Sequence, residues 1–248
     1  MPETLLLLPG AAGAAEVLAP ERAAAGEAVR RLLASSPERV VVVTCPPRST
    51  DDVVLRHPLR PTATAAGVPD ERWAGGGRDA GTGTVVQDPG ASVGLALLAE
   101  EGWTGVTDVL LLADGPRDPG AVRALGAAQV ADGATALLLL GALSARRGPD
   151  APLPDDPRAA DVDAQVERDL VALDRPAVER LTGPGDLAHE LAVSAWAPWQ
   201  VLLGAAGVVG PVSGAPADLP DPLLHGALLH RGVPLGTTYV VAHWAVPA

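Results

Sequence analysis

Three runs of consecutive apolar residues punctuate the chain: Val40–Val43, Val109–Leu112 and Ala136–Leu140. None alternates with polar residues. Strands of this kind are covered on both faces, the habit of α/β folds rather than of half-exposed sheets. Strands are expected at 4–8, 39–44, 107–113, 134–140 and 238–244, with Val53–Leu55 as a shorter one. Ala25, Ala28, Val29, Leu32 and Leu33 share one face at helical spacing and predict a helix over 21–34. Pro20 fits its first turn, and Ser35-Ser36-Pro37 stops it. Asp88-Pro89 and Asp118-Pro119 each set a cap and a first-turn proline ahead of helices over 89–101 and 119–131.

Past the third run the pattern turns helical. Val162, Val166, Leu170 and Val171 make one apolar stripe, and Pro176–Leu181 reads as a short helix. Leu187–Ala195 and Trp199–Ala206 read as helical with an interruption near Pro198. Trp196 and Trp199 are expected to pack as core rings. Three passages read as loops: 45–84, which contains Gly75-Gly76-Gly77, then 144–157, and 211–222. The sum is an α/β chain, expected as a single domain over 1–248 with a largely parallel or mixed central sheet.

Composition narrows the chemistry. The 248 residues include 1 Cys, 1 Met, 1 Tyr and no Phe, so small side chains and five Trp must fill the core. A net charge of -12 repels phosphate backbones, and nucleic acid is not an expected partner. One Cys excludes an internal disulfide and a CxxC metal site. The start, Met1 to Leu8, has no basic n-region, and no apolar stretch reaches spanning length. A cytoplasmic protein without a membrane partner is expected, and a homodimer is an open option.

Candidate chemistry lies in loops past the strand ends, where sites form in such folds. Cys45 follows the second strand, with Arg48 near enough in sequence to favour a thiolate; a small buried thiol is the plainer reading. Asp114-Gly115 ends the next strand and suits an Asx-turn before Pro116 or a ligand contact. Ser144 with Arg146 and Arg147 follows the third run; a hydroxyl and a guanidinium can hold a carboxylate, or the arginines can pin the loop to Asp150, Asp155 or Asp156. The histidines, His57, His189, His225, His230 and His243, show no metal-ligand spacing. Gly10-Ala11-Ala12-Gly13 and Gly81-Thr82-Gly83 match neither a dinucleotide fingerprint nor a P-loop.

One set of residues carries a resemblance. Gly141-Ala142-Leu143-Ser144-Ala145-Arg146-Arg147, Ala151-Pro152 and Asp156-Pro157-Arg158-Ala159-Ala160 resemble a "GDGSARR…AP…D.RA" passage. Trp196 to Ala206 resembles "GRAPWQVLAGAA", and Pro234 to Trp244 resembles a closing "PYGVGYFVATW". These are segments of actinobacterial proteins related to the catalytic B subunit of class III extradiol ring-cleavage dioxygenases. The likeness is strongest from about residue 134 and weak between 46 and 84. It implies one three-layer α/β/α domain. It also implies that active members hold non-haem Fe(II) through two histidines and a glutamate and open catechol-like rings with O₂.

This chain departs from that pattern at the ligand positions. Leu8-Pro9-Gly10-Ala11 stands where the family has a histidine-bearing "PHPP" segment. Cys45-Pro46-Pro47 follows the second strand without a histidine, and Ala142 replaces the "GDGS" aspartate. Glu190 alone matches the triad glutamate. The expectation is a non-catalytic homologue with no cofactor. Its vestigial cleft would gather Cys45, Asp114, Ser144, Arg146 and Glu190 around a small carboxylate or phosphate, or take a protein partner. Two alternatives stay open: an Fe(II) dioxygenase recruiting His57 and Glu190, and a metal-independent hydrolase or lyase using Cys45 or Ser144.

Overall fold

The computed structural model describes residues 1–13, 17–73, 83–115, 117–183, 185–208 and 222–246. The chain is mixed α/β with a mixed sheet, and it divides into two compact units, Met1–Asp114 with Ala134–Gly141, and Gly115–Gly133 with Ala142–Ala248. The triple glycine at 75–77, Gly81-Thr82 and residues 211–221 of the last expected loop lie outside the described residues.

The first unit is built on α1 (Ala19–Ala34), β1 (Arg39–Thr44), β2 (Val53–Leu55), β3 (Leu59–Pro61), β4 (Thr84–Val86), α2 (Pro89–Glu100), β5 (Val106–Leu111) and β6 (Thr135–Leu139). The four-stranded sheet has the order β2-β5-β1-β6. The continuous apolar runs are its centre: β1 pairs in parallel with both β5 and β6, from Arg39 against Val106 and Thr135 onward. Val40 to Val43 are wholly buried. α2 lies close on β1 because Gly94 faces it; a Cβ there would stand 2.6 Å from Val42 Cγ1 and 2.8 Å from Leu140 Cδ1. Asp88 caps α2 by accepting the Ala91 N–H at 2.6 Å, as the Asp-Pro pattern predicts.

Two expectations fail here. Residues 4–8 are not a strand: Leu5–Leu7 forms a 3₁₀ turn with Leu7 and Leu8 buried. Thr4 Oγ1 accepts the Leu6 N–H, and the Arg22 guanidinium of α1 takes the Leu6 and Leu7 carbonyls. A short apolar run reads alike as strand or buried turn, and capping decided it. The 45–84 passage is also more ordered, where described, than its Gly and Pro content suggests. β2 forms at Val53–Leu55 as expected and runs antiparallel to β5, while β3, which was not expected, pairs in parallel with β4. Ser92 Oγ of α2 donates to the Val86 carbonyl and accepts the Thr62 N–H, tying that pair to the helix. Asp70 gathers the Ala63 N–H, Thr62 Oγ1 and Trp73 Nε1, so short polar side chains do what an apolar anchor would.

The second unit holds α3 (Pro119–Gln129), α4 (Ala159–Ala172), α5 (Arg175–Leu181), α6 (Asp186–Glu190), α7 (Trp196–Ala205), β7 (His225–Gly232) and β8 (Tyr239–Ala245). α3 and α7 cross at backbone contact. A Cβ on Gly126 would lie 2.0 Å from the Val201 oxygen, and one on Gly204 would lie 1.8 Å from the Arg123 oxygen. Gln200, fully buried, fastens the crossing: its Oε1 accepts Arg123 Nη1 at 2.9 Å and its Nε2 donates to the Leu181 carbonyl at 2.7 Å. Trp199 Nε1 donates to the same carbonyl at 3.2 Å, closing the end of α5. Trp196 and Trp199 are both buried, as expected from a chain without Phe.

The helical break expected near Pro198 falls earlier, between Glu190 and Trp196. Pro198 sits in the first turn of α7, where its missing N–H breaks no helical bond. The intervening backbone turns at Ala192, with φ +54°, and is held by Ala142, which donates to Ser194 Oγ and accepts the Ala195 N–H. The last strand, β8, does not join the four-stranded sheet; it pairs antiparallel with β7 in a sheet of two. β7 was unforeseen because its glycines, histidines and half-exposed residues give no clean alternation. The pair packs on α4, with Trp244 Nε1 on the Leu170 carbonyl.

Two substitutions test this packing. Trp199→Ala is expected to cost about 3–5 kcal/mol in a denaturant titration, the range for a buried aromatic reduced to a cavity. Gly204→Ala, which puts a methyl group into the Arg123 carbonyl, is expected to cost about 3 kcal/mol. A loss under about 1 kcal/mol would show, for Trp199→Ala, that the ring is not buried and, for Gly204→Ala, that the helices do not cross this closely.

Candidate functional site

Parallel pairing sets the ends of β1, β5 and β6 at one edge of the first unit's sheet. Cys45 and Asp114 stand there, as the sequence predicts, and the structure shows what occupies them. Cys45 is buried, with Sγ 3.6 Å from the Ala113 carbonyl oxygen. Asp114 does not turn back on its own chain: its Oδ2 accepts the Arg48 N–H at 2.9 Å, and its N–H donates to the Ser49 carbonyl at 2.8 Å. Asp52 Oδ1 in turn accepts the Ala113 N–H. The loop from 45 to 52 is thereby zipped to the end of β5, and Arg48 takes the left-handed φ of +64° that this route requires. Next to them, Thr44 Oγ1 lies 3.5 Å from Glu3 Oε2 beside the first turn of α2, where burial holds the Asp88 carboxyl above its usual range.

His57 is carried away from this edge. β2 runs down β5 against the direction of β1, and the His57 N–H ends on Asp108 Oδ1 at 3.0 Å. That is roughly 15–20 Å along the strand from Asp114, at about 3.3 Å per residue. Asp108, buried and not anticipated from sequence, also receives Arg56 at 2.6 Å and Arg39 at 3.5 Å. It anchors the loop that sequence left free.

Ser144, Arg146 and Glu190 belong to the second unit. Ser144 is fully buried. Its Oγ donates to the Leu191 carbonyl at 2.9 Å and accepts the Arg146 N–H at 3.1 Å. Its own N–H donates to Asp163 Oδ1 at 3.0 Å. Arg146 Nη1 donates to the Pro154 carbonyl, and the Arg146 carbonyl accepts the Asp156 N–H. So Arg146 pins the 144–157 loop, through backbone carbonyls rather than the acids expected. Glu190 is turned to the surface and paired with Arg158 Nη1 at 2.9 Å.

Asp163 is the residue sequence reading missed. It was legible in phase: it lies between Ala159 and Leu170 on the buried face of α4, so a carboxylate at that position must be bonded. The histidines of the second unit lie on α6 (His189), β7 (His225, His230) and β8 (His243), with His243 opposite Ala227. Among the described residues, neither unit brings three His, Cys, Asp or Glu side chains together as a metal site. An Fe(II) centre of two imidazoles and a carboxylate does not fit the donors at the sheet edge: a thiol on a carbonyl and an aspartate on a backbone N–H. No helix among the described residues is long and apolar enough to cross a membrane. No protein-family model matches the chain, and no curated protein matches it significantly.

The Arg158 network has a measurable signature. Arg158 donates from its side chain and from its N–H to Asp156, and holds that carboxyl down at about 2. A folded pKa below the unfolded value gives stability that is present above about pH 4 and lost as pH falls toward 2. An NMR titration should place the Asp156 midpoint near 2 in the wild type and higher in Arg158→Ala, though still below the ordinary value because the residue-158 N–H continues to donate. An ordinary midpoint in the wild type would show that the pair does not form in solution.

Proposed function

We propose that the chain is a non-catalytic relative of the class III extradiol ring-cleavage dioxygenase B subunit. What supports the reading is how the matched positions are used. The residues that carry the resemblance build structure: Ser144 joins three segments, while Trp199 and Gln200 close α5. The position matched to the triad glutamate, Glu190, is in an exposed ion pair with Arg158. The three-layer arrangement around one sheet, in a single domain over 1–248, belongs to the same proposal. So does a small carboxylate or phosphate guest at Arg146, whose guanidinium already bonds the Pro154 carbonyl. The carrying observation is that the backbone N–H of His57, the histidine expected to be recruited, bonds Asp108 part-way along β5 from the strand ends.

Metal analysis with oxygen uptake is the test. Purified protein, before and after incubation with Fe(II) under reducing conditions, is expected to retain no stoichiometric iron and to consume no O₂ with catechol-like aromatics. Stoichiometric iron together with ring cleavage would overturn the proposal.

A further inference from the structure

His225 and His230 stand five residues apart, an odd spacing that sends side chains to opposite faces of a regular strand. β7 is not regular. Leu228 lies opposite Ala242 and His230 opposite Val241, so Leu229 is an extra residue and the register shifts by one. A bulge of this kind re-aims the side chains beyond it. Residues directly opposite each other in an antiparallel pair share a face. His225 therefore stands on the face of Ala245, and His230 on that of Val241. Val241, His243 and Ala245 alternate along β8 and lie on one face. The bulge thus puts His225, His243 and His230 on the same side, in a zigzag across the two strands. His243 is opposite Ala227, so each of the others is its diagonal neighbour, roughly 7–8 Å away.

We propose that this row binds a late first-row divalent metal ion, with His243 as the constant ligand and either diagonal neighbour as the second. Two imidazoles at that spacing can close on one ion, whose bonds to nitrogen are about 2.0–2.1 Å. His225 and His230 flank His243 from opposite directions, so the ion takes one of them at a time and fills its shell with water. This agrees with the lack of a three-ligand group among the described residues. His225 is exposed and the other two are half-buried, within reach of a hydrated ion. The other residues paired along this face, Ala227, Gly232, Tyr239, Val241 and Ala245, bring no positive charge. Arg231 stands on the opposite face, where it pairs with Glu167 of α4. A chain with a net charge of -12 draws cations to it. His230 and His243 also engage other groups of the chain; a coordinating imidazole keeps its second nitrogen for such a partner. Imidazole pairs favour Ni(II), Cu(II) and Zn(II) over Fe(II). The site is therefore separate from the iron question above and stands whatever its answer.

Calorimetric titration of the tag-free full chain with zinc chloride tests it, in excess Mg(II) and at about pH 7.5, where imidazoles are neutral. One zinc ion should bind per chain. His243→Gln, and separately His225→Gln combined with His230→Gln, should each weaken binding by at least about tenfold, because a lone imidazole lacks the effective concentration of a chelating pair. Binding should also be lost at about pH 5, where protonated imidazoles cannot coordinate. Circular dichroism of the metal-free variants checks their fold, and if His243→Gln does not fold, the double variant decides the matter. No binding by the wild type, unchanged binding in either folded variant, or binding as strong in acid would overturn the proposal. So would displacement of zinc by Mg(II), which is the mark of carboxylate ligands.

Discussion

Val40 to Val43 are shut off from water, and a peptide group left unpaired there would cost about 1–3 kcal/mol. The first unit is arranged around that demand. β1 needs a strand on each side, and β5 and β6 supply them in matching register. Parallel neighbours cannot be joined by tight turns, so the chain must leave the sheet and return. Each return ends at the same edge as the last, and that is why Cys45, Ala113 and Asp114 meet. The grouping of the candidate residues on this side follows from backbone pairing, before any question of chemistry.

The parts of this arrangement that sequence disclosed are those with a local cause. Continuous valines and leucines marked β1, β5 and β6, and the Asp-Pro pairs marked α2 and α3, because burial and capping act within a few residues. Elements whose cause lies elsewhere in the chain stayed hidden. Leu5–Leu7 is a turn because Arg22, far along the chain, takes its carbonyls. β7 exists because β8 and α4 offer it partners. β3 depends on β4 across a long excursion, and no pattern within either announces the other.

The candidate site divides the same way. Residue type and position past a strand located Cys45 and Asp114, yet could not say that Asp114 would receive the Arg48 N–H. Ser144 was singled out for its hydroxyl, which turns out to be sealed between Leu191 and Arg146. Asp163, which holds the Ser144 N–H, was passed over among the polar residues of α4 although its phase put it in the core. Trp199, Gln200 and Ser144, which carry the resemblance, are all engaged in packing and backbone hydrogen bonds. Their residue types alone could not distinguish that structural use from a chemical one.

β2 has a consequence for how this chain meets other chains. An outer strand offers a row of unpaired peptide groups on which another sheet can grow. Here the outer strand spans only Val53–Leu55, with Asp51 and Asp52 before it and Pro58 after the next turn. At the other side of the sheet, the Met1 nitrogen bonds the Leu139 carbonyl and the Gly141 N–H bonds the Met1 carbonyl, covering the end of β6. The β2 border gives a newcomer only three residues to pair with. Strand addition at that border would gain few ladder bonds, so the shortness of β2 works against fibre growth from that side of the sheet.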